Sequence, residues 1–134
     1  MSNDIIKVID NLTGMRHLSA AEKIDIITAE ADLELNFAED YKKYVSTYGL
    51  ITANGIEITG VCKSPRLNVV NATLQEREMN PDIPGDMYVI ESTGFEGMII
   101  LQDADGFIYS VVPNRKPEKI FDSLADYLLD LQKN

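Results

Sequence analysis

The spacing of apolar residues changes along the chain, and each change marks a new element. After Asp4, the residues Ile5, Ile6, Val8, Ile9 and Leu12 follow helical spacing, which predicts a short amphipathic helix ending between Asn11 and Gly14. Ser19 with Glu22 three residues on has the form of a capping box. Ala20, Ile24, Ile27 and Ala31 then fall on one face of the second helix it would open. Asn36 and Glu39 repeat that grammar ahead of a third helix, whose Phe37, Tyr41, Tyr44, Val45 and Tyr48 share a stripe and which Gly49 closes.

Beyond Gly49 the period shortens. Ile51 and Ala53, then Ile56 and Ile58, alternate with polar residues about Asn54-Gly55, a strong short hairpin signal whose strands could leave an exposed sheet edge. Leu67, Val70 and Leu74 restore helical spacing to about Glu78, where Pro81 and Pro84-Gly85 impose a loop. Three β-rich runs follow, Met87 to Glu91, Met98 to Leu101 and Phe107 to Val112. They are joined by Gly94 to Gly97 and by Asp105-Gly106, the latter read as a type I′ turn, so an antiparallel meander is expected. Pro113 and Pro117 bracket a basic loop, Arg115-Lys116. Asp122 or Ser123 then caps a last helix carrying Leu124, Leu128 and Leu131 with Tyr127 beside them. This order predicts an α+β fold: N-terminal helices, a mostly antiparallel sheet of about four to six strands, and a C-terminal helix, with helices on one face or edge of the sheet.

At 134 residues the chain, 1–134, is expected to be one domain, and 45% hydrophobic residues suffice for a core. Twelve Lys+Arg against 22 Asp+Glu leave a net charge of −10, which repels phosphate backbones and anionic lipid, so neither nucleic acid nor membrane is an expected partner. A positively charged partner is favoured. Met1-Ser2-Asn3-Asp4 has no basic n-region and no apolar run approaches the length of a membrane span, so a cytoplasmic location is expected.

Chemistry-bearing residues are sparse. His17 lies between Arg16 and Leu18 with no nucleophile at a recommending distance, and reads as a surface histidine. Cys62 cannot form an intramolecular disulfide; Lys63 beside it could lower the thiol pKa, although a small half-buried side chain is the commoner role. Asp103 and Asp105 resemble the opening of a calcium loop. Position five of that loop would be Phe107 and position twelve Asn114, so a turn explains them better. Gly94 to Gly97 precedes no helix and is no phosphate loop. The expectation is therefore no catalytic set, no cofactor and no metal, with a hydrolase using Asp103 or Asp105 and a metal as the enzymatic alternative. Tyr41, Tyr44, Tyr48 and Tyr127 read as core residues, and Arg77 as a partner for a neighbouring acid or for Glu91.

The stretch Glu30-Ala31-Asp32-Leu33-Glu34-Leu35-Asn36-Phe37-Ala38-Glu39-Asp40-Tyr41-Lys42-Lys43-Tyr44-Val45, closing at Tyr48-Gly49, resembles the SUKH superfamily. That superfamily includes a yeast cell-wall assembly regulator and many bacterial immunity proteins. Gly55-Ile56-Glu57-Ile58, Asp105-Gly106-Phe107-Ile108-Tyr109 and Phe121-Asp122-Ser123-Leu124 follow in the matching order, so the resemblance spans roughly residues 18 to 131. One departure is Phe37, which stands where the family usually has a proline. The resemblance implies a non-enzymatic immunity protein that binds the C-terminal domain of a cognate secreted toxin. Such toxins are often nucleases with basic substrate-binding surfaces, which an acidic inhibitor can engage by imitating the charge of the substrate. A regulatory module that recruits a cellular protein is the other reading the family offers. The family supplies no fixed contact set, so the candidate partner-binding residues are acids expected to face solvent in loops and at sheet ends: Glu57, Glu76, Glu78, Asp82, Asp86, Glu96, Asp103 and Asp105. For each, the plainer role is a solvated charge that keeps the chain soluble.

Overall fold

A computed structural model describes residues 4–133, so Met1–Asn3 and Asn134 lie outside the described residues. Five helices, α1 (Ile5–Asp10), α2 (Lys23–Leu33), α3 (Glu39–Tyr48), α4 (Val69–Met79) and α5 (Leu124–Gln132), combine with seven strands: β1 (Arg16–His17), β2 (Ile51–Ala53), β3 (Ile56–Ile58), β4 (Tyr88–Ser92), β5 (Ile99–Gln102), β6 (Ile108–Val111) and β7 (Glu118–Phe121). The fold is α+β, with the strands in two antiparallel sheets ordered β1-β2-β3 and β4-β5-β6-β7.

The hairpin forms at Asn54-Gly55, both with positive φ (46° and 86°), as a type I′ turn requires. Its strands do not form an open apolar edge. β1 pairs with β2, Ile51 and Ile58 are buried, and beyond β3 the Thr59 N–H donates to the Ile90 carbonyl at 2.9 Å. Ile90 is the extra residue of a bulge in β4, because Val89 pairs with Leu101 and Glu91 with Ile100. The bulge frees the Ile90 carbonyl to join the two sheets.

Alternation along the four-stranded sheet sends Tyr88, Ile90, Ile100 and Ile108 into the larger core with α1, α2, α3 and α5. Val89, Ile99, Leu101 and Val111 enter a smaller core with Ile83, Met87 and Ala72 of α4. Both faces are therefore covered, where the sequence suggested one; α4 is the added layer. At the centre Phe37, Tyr41, Tyr44 and Tyr88 stack edge to face or tilted, with ring centroids 4.8 to 5.5 Å apart. Each buried hydroxyl has a partner. Tyr44 donates to the Thr59 carbonyl and accepts from Ile51 N–H, Tyr41 meets the Thr59 hydroxyl, and Tyr88 donates to Gln102. Tyr127 is buried as expected, whereas Tyr48 is half-buried, its hydroxyl on Asp10.

Expectations for three helices are corrected. The Ser19 box does not cap α2: the helix starts at Lys23 with Glu22 as N-cap and no side-chain capping bond. Leu18 N–H is bound to the Leu50 carbonyl and Ala21 N–H to the Val45 carbonyl, which holds this segment extended against its neighbours. The face of α2 turned inward is Ile26, Ala29 and Leu33, while Ala20, Ile24, Ile27 and Ala31 point to solvent. Asn36 does not cap α3 either. The Glu30 carboxylate accepts Phe37 N–H at 2.8 Å and the Tyr88 hydroxyl accepts Ala38 N–H at 2.9 Å, so distant side chains order this turn. On α4, capped by Asn68, the buried residues are Val69 and Thr73 and Leu74 is exposed. Ser123 caps α5 by accepting Asp126 N–H.

Glu91 is an acid inside the fold. Only 8% exposed, it accepts the Tyr127 hydroxyl and the Glu57 backbone N–H, and burial holds its pKa above the usual carboxyl range despite both bonds. A raised folded pKa means the native state holds the proton longer than the unfolded chain. The stabilisation is then complete below the ordinary carboxyl pKa and lost as pH rises through the folded one. The melting temperature of the wild-type chain is therefore expected to fall relative to Glu91→Gln between about pH 4 and pH 7, measured by calorimetry at both ends. A constant offset would show that Glu91 is not desolvated as described.

Candidate functional site

The meander places the loops of the four-stranded sheet alternately at its two ends, and this sorts the charged residues. β4 begins, β5 ends and β6 begins at one end, with Tyr88 beside Gln102 and Gln102 beside Ile108. Asp86, Asp103 and Asp105 therefore share that end. The β4–β5 turn with Glu96 and the β6–β7 loop with Arg115 and Lys116 lie at the other, where the two loops come together: a Cβ on Gly97 would reach Pro113 at 3.0 Å.

The acidic end is built around Asp103. Gly106 N–H donates to the Asp103 carbonyl at 3.0 Å, closing a type I turn whose following position is Gly106 at φ 95°. The expected type I′ turn on Asp105-Gly106 is thus corrected, since Gly106 alone in this loop has positive φ. One Asp103 carboxylate oxygen accepts Asp105 N–H and Phe107 N–H at 3.0 and 3.1 Å, and the other accepts the Tyr109 hydroxyl at 2.8 Å. That phenol is pushed up to about 12, first by burial, then by the bond to Asp103 and the charges of Asp103, Asp86 and Asp105. Three carboxylates thus act on one ring. Asp103 is half-buried and committed to the turn, whereas Asp86 and Asp105 are exposed.

Behind this loop stands a buried relay. The Gln102 amide nitrogen donates to Asp40 at 3.0 Å and to the Gly106 carbonyl at 3.1 Å, its oxygen accepts the Tyr88 hydroxyl at 2.6 Å, and Asp40 accepts Leu124 N–H at the start of α5. Burial raises the Asp40 pKa, opposed by these hydrogen bonds. The turn is therefore anchored to α3, α5 and β4 together.

The remaining candidate acids are dispersed. Glu57 on β3 is bound by both Arg66 nitrogens, at 2.8 and 2.5 Å, which lowers its pKa. Glu76 on α4 is half-buried with its pKa raised by burial, Glu78 is exposed on the same helix, Asp82 is exposed in the loop after it, and Glu96 is at the opposite sheet end. Arg77 meets no acid. Its guanidinium donates to the Gly85 carbonyl at 2.9 Å and the Leu33 carbonyl at 3.4 Å, the latter at the C-terminal end of α2 where a cation is favourable. Sequence reasoning missed Gln102, whose position in an apolar strand ending is the only signal it gives.

Other chemistry is thin. His17 is exposed on β1 with its ring 4.8 Å from that of Tyr48. Burial pushes the Cys62 thiol up, against the lowering considered from Lys63. Among the described residues, no three or more His, Cys, Asp or Glu side chains are grouped to hold a metal ion, and no helix is long and apolar enough to cross a membrane.

Among known families, the model SUKH_5, described as SMI1-KNR4 cell-wall, matches residues 2–133. No curated protein matches the chain.

Proposed function

The chain belongs to the SMI1-KNR4 cell-wall family within the SUKH superfamily, whose members point to a protein partner, and from that membership we propose that it is an immunity protein acting by occupancy and not by turnover. Its partner is the C-terminal domain of a secreted toxin, a nuclease with a basic substrate surface. The observation that carries this reading is the meeting of Asp86 with Asp103 and Asp105 at one sheet end, the latter two on a turn anchored by a buried amide. A rigid acidic prominence can sit where a phosphate backbone would, with little ordering cost on binding. Asp86 and Asp105 are in none of the ion pairs among the described residues. The net charge of −10 adds long-range attraction.

The test is co-expression with the C-terminal domain of a large secreted protein encoded beside the gene, followed by association kinetics. Growth rescue is expected. The association rate should fall about tenfold between low and physiological salt, and several-fold in Asp86→Asn/Asp105→Asn, because steering is screened over roughly 8 to 10 Å. A stable housekeeping partner with no toxin neutralised would replace this reading by the recruitment module, and an association rate indifferent to salt would remove the acidic end from the contact.

A further inference from the structure

Helix α2 is apolar on two opposite sides. Ile26, Ala29 and Leu33 enter the core, while Ile24, Ile27 and Ala31 repeat the same spacing two residues earlier, about 200° around the axis. Ile24 and Ile27 are 63% and 49% exposed. Isolated exposed apolar side chains are ordinary, but successive turns of one stripe facing away from the core are the pattern of a helix made to contact a second helix. Ile27 also borders a groove of about 470 Å³ between α2 and α3, lined besides by Ala21, Ile26, Ser46, Glu30 and the two lysines Lys23 and Lys42. A helix laid along the stripe can rest on Ile24 and Ile27 and place one apolar side chain in that groove.

Charge selects the occupant. From Glu22 to Glu34 the chain carries five acids and one lysine. Glu22, Asp25, Asp32 and Glu34 are exposed and take part in none of the ion pairs among the described residues. A second copy of the chain would set this acidic rim against itself within a Debye length. A basic amphipathic helix meets both the apolar stripe and the rim. We propose that the outer face of α2, with the groove against α3, docks a basic amphipathic helix of the partner. The inference rests on the protein-partner reading and adds the form of the contacting element.

The test uses the ¹⁵N-labelled full chain and a synthetic helical peptide with leucines at heptad spacing flanked by lysines. Amide shifts should concentrate in α2 and the facing turns of α3. Ile24→Asp/Ile27→Asp, at exposed positions and checked for folding by circular dichroism, should weaken binding at least tenfold. Asp25→Lys/Asp32→Lys leaves the stripe intact and should weaken the lysine peptide while admitting a glutamate-flanked one. Shifts centred elsewhere, or equal affinity in the Ile24→Asp/Ile27→Asp variant, would overturn the proposal. So would a wild-type dimer in sedimentation that this variant abolishes, since a second copy would then own the face. With a neutralised toxin in hand, undiminished toxin affinity in the same variant would sink the α2 assignment alone. Absence of any neutralised toxin would sink the immunity reading and leave the peptide result standing.

Discussion

Gly60→Ala is expected to lower the unfolding free energy by about 3 kcal/mol or more, the upper range of single-site effects. A Cβ at Gly60 would lie 1.9 Å from the Gly49 carbonyl oxygen and 2.9 Å from both the Gly49 carbonyl carbon and the Leu50 Cα. Every one of these atoms is backbone, so no rotamer change relieves the overlap. Nor can the two segments simply part. Gly49 O accepts Val61 N–H at 3.1 Å, Gly60 N–H donates to the Leu67 carbonyl, and Gly60 O accepts Val69 N–H at the start of α4. The end of α3, the exit from β3 and the first turn of α4 are thereby held at one point. Gly85→Ala is the matched control, because a Cβ there meets nothing within 4 Å, and it should shift stability by less than about 0.5 kcal/mol. Urea titration of the three proteins decides the matter; a Gly60→Ala midpoint equal to that of Gly85→Ala would deny the close approach.

Nothing local announces that crossing. Elements set by neighbouring residues were legible: Asp4 capping α1, the Asn54-Gly55 turn, the aromatic stripe of α3 and Ser123 at the head of α5 all follow from chemistry within a few positions. Where two answers satisfied the same local rule, tertiary contacts chose. Both stripes of α2 have helical spacing, and the chain buries the one ending in Leu33, which reaches the core completely. The capping grammar of Asn36 is overridden by Glu30 and by Tyr88, which lies 50 residues from the Ala38 N–H it accepts. β7 was not anticipated because its residues are largely exposed and lack alternation; pairing with β6 alone makes it a strand.

The candidate site divides the same way. The surplus of acids can be counted in the sequence, but their placement belongs to strand topology, which gathers Asp86, Asp103 and Asp105 and sends Glu96 to the far end. Local pairing engages one of the others, since Glu57 is held by an arginine nine positions on. Asp103, a candidate contact residue that the sequence also places in a turn, bonds two backbone N–H groups and a phenol through its carboxylate. The exposed carboxylates of that end are those of Asp86 and Asp105, while Asp103 fixes the turn that carries Asp105.

Gln102→Leu should cost about 3 to 5 kcal/mol although it exchanges a polar core residue for an apolar one of similar size, because it leaves several buried partners without bonds. Gln102 is fully buried, so no water replaces the amide. The Tyr88 hydroxyl would lose its acceptor while still accepting Ala38 N–H, Asp40 would lose one of its donors, and the Gly106 carbonyl would lose another. Tyr88→Phe alone leaves two buried groups without a partner, Ala38 N–H and the Gln102 oxygen, against the three affected by Gln102→Leu, and should cost less. The double variant should then be less destabilised than the sum of the two by about 1 kcal/mol or more, as members of one network are. The loss should also reach the acidic end. With Gly106 untethered and Asp40 deprived of a hydrogen bond, the Asp103 turn loses its link to α3 and α5, so amide exchange in residues 103–107 should accelerate beyond what the global change explains. Strict additivity, with exchange in that loop unchanged, would mean that the loop is ordered by its own hydrogen bonds and that the relay beneath it has no part in presenting Asp105.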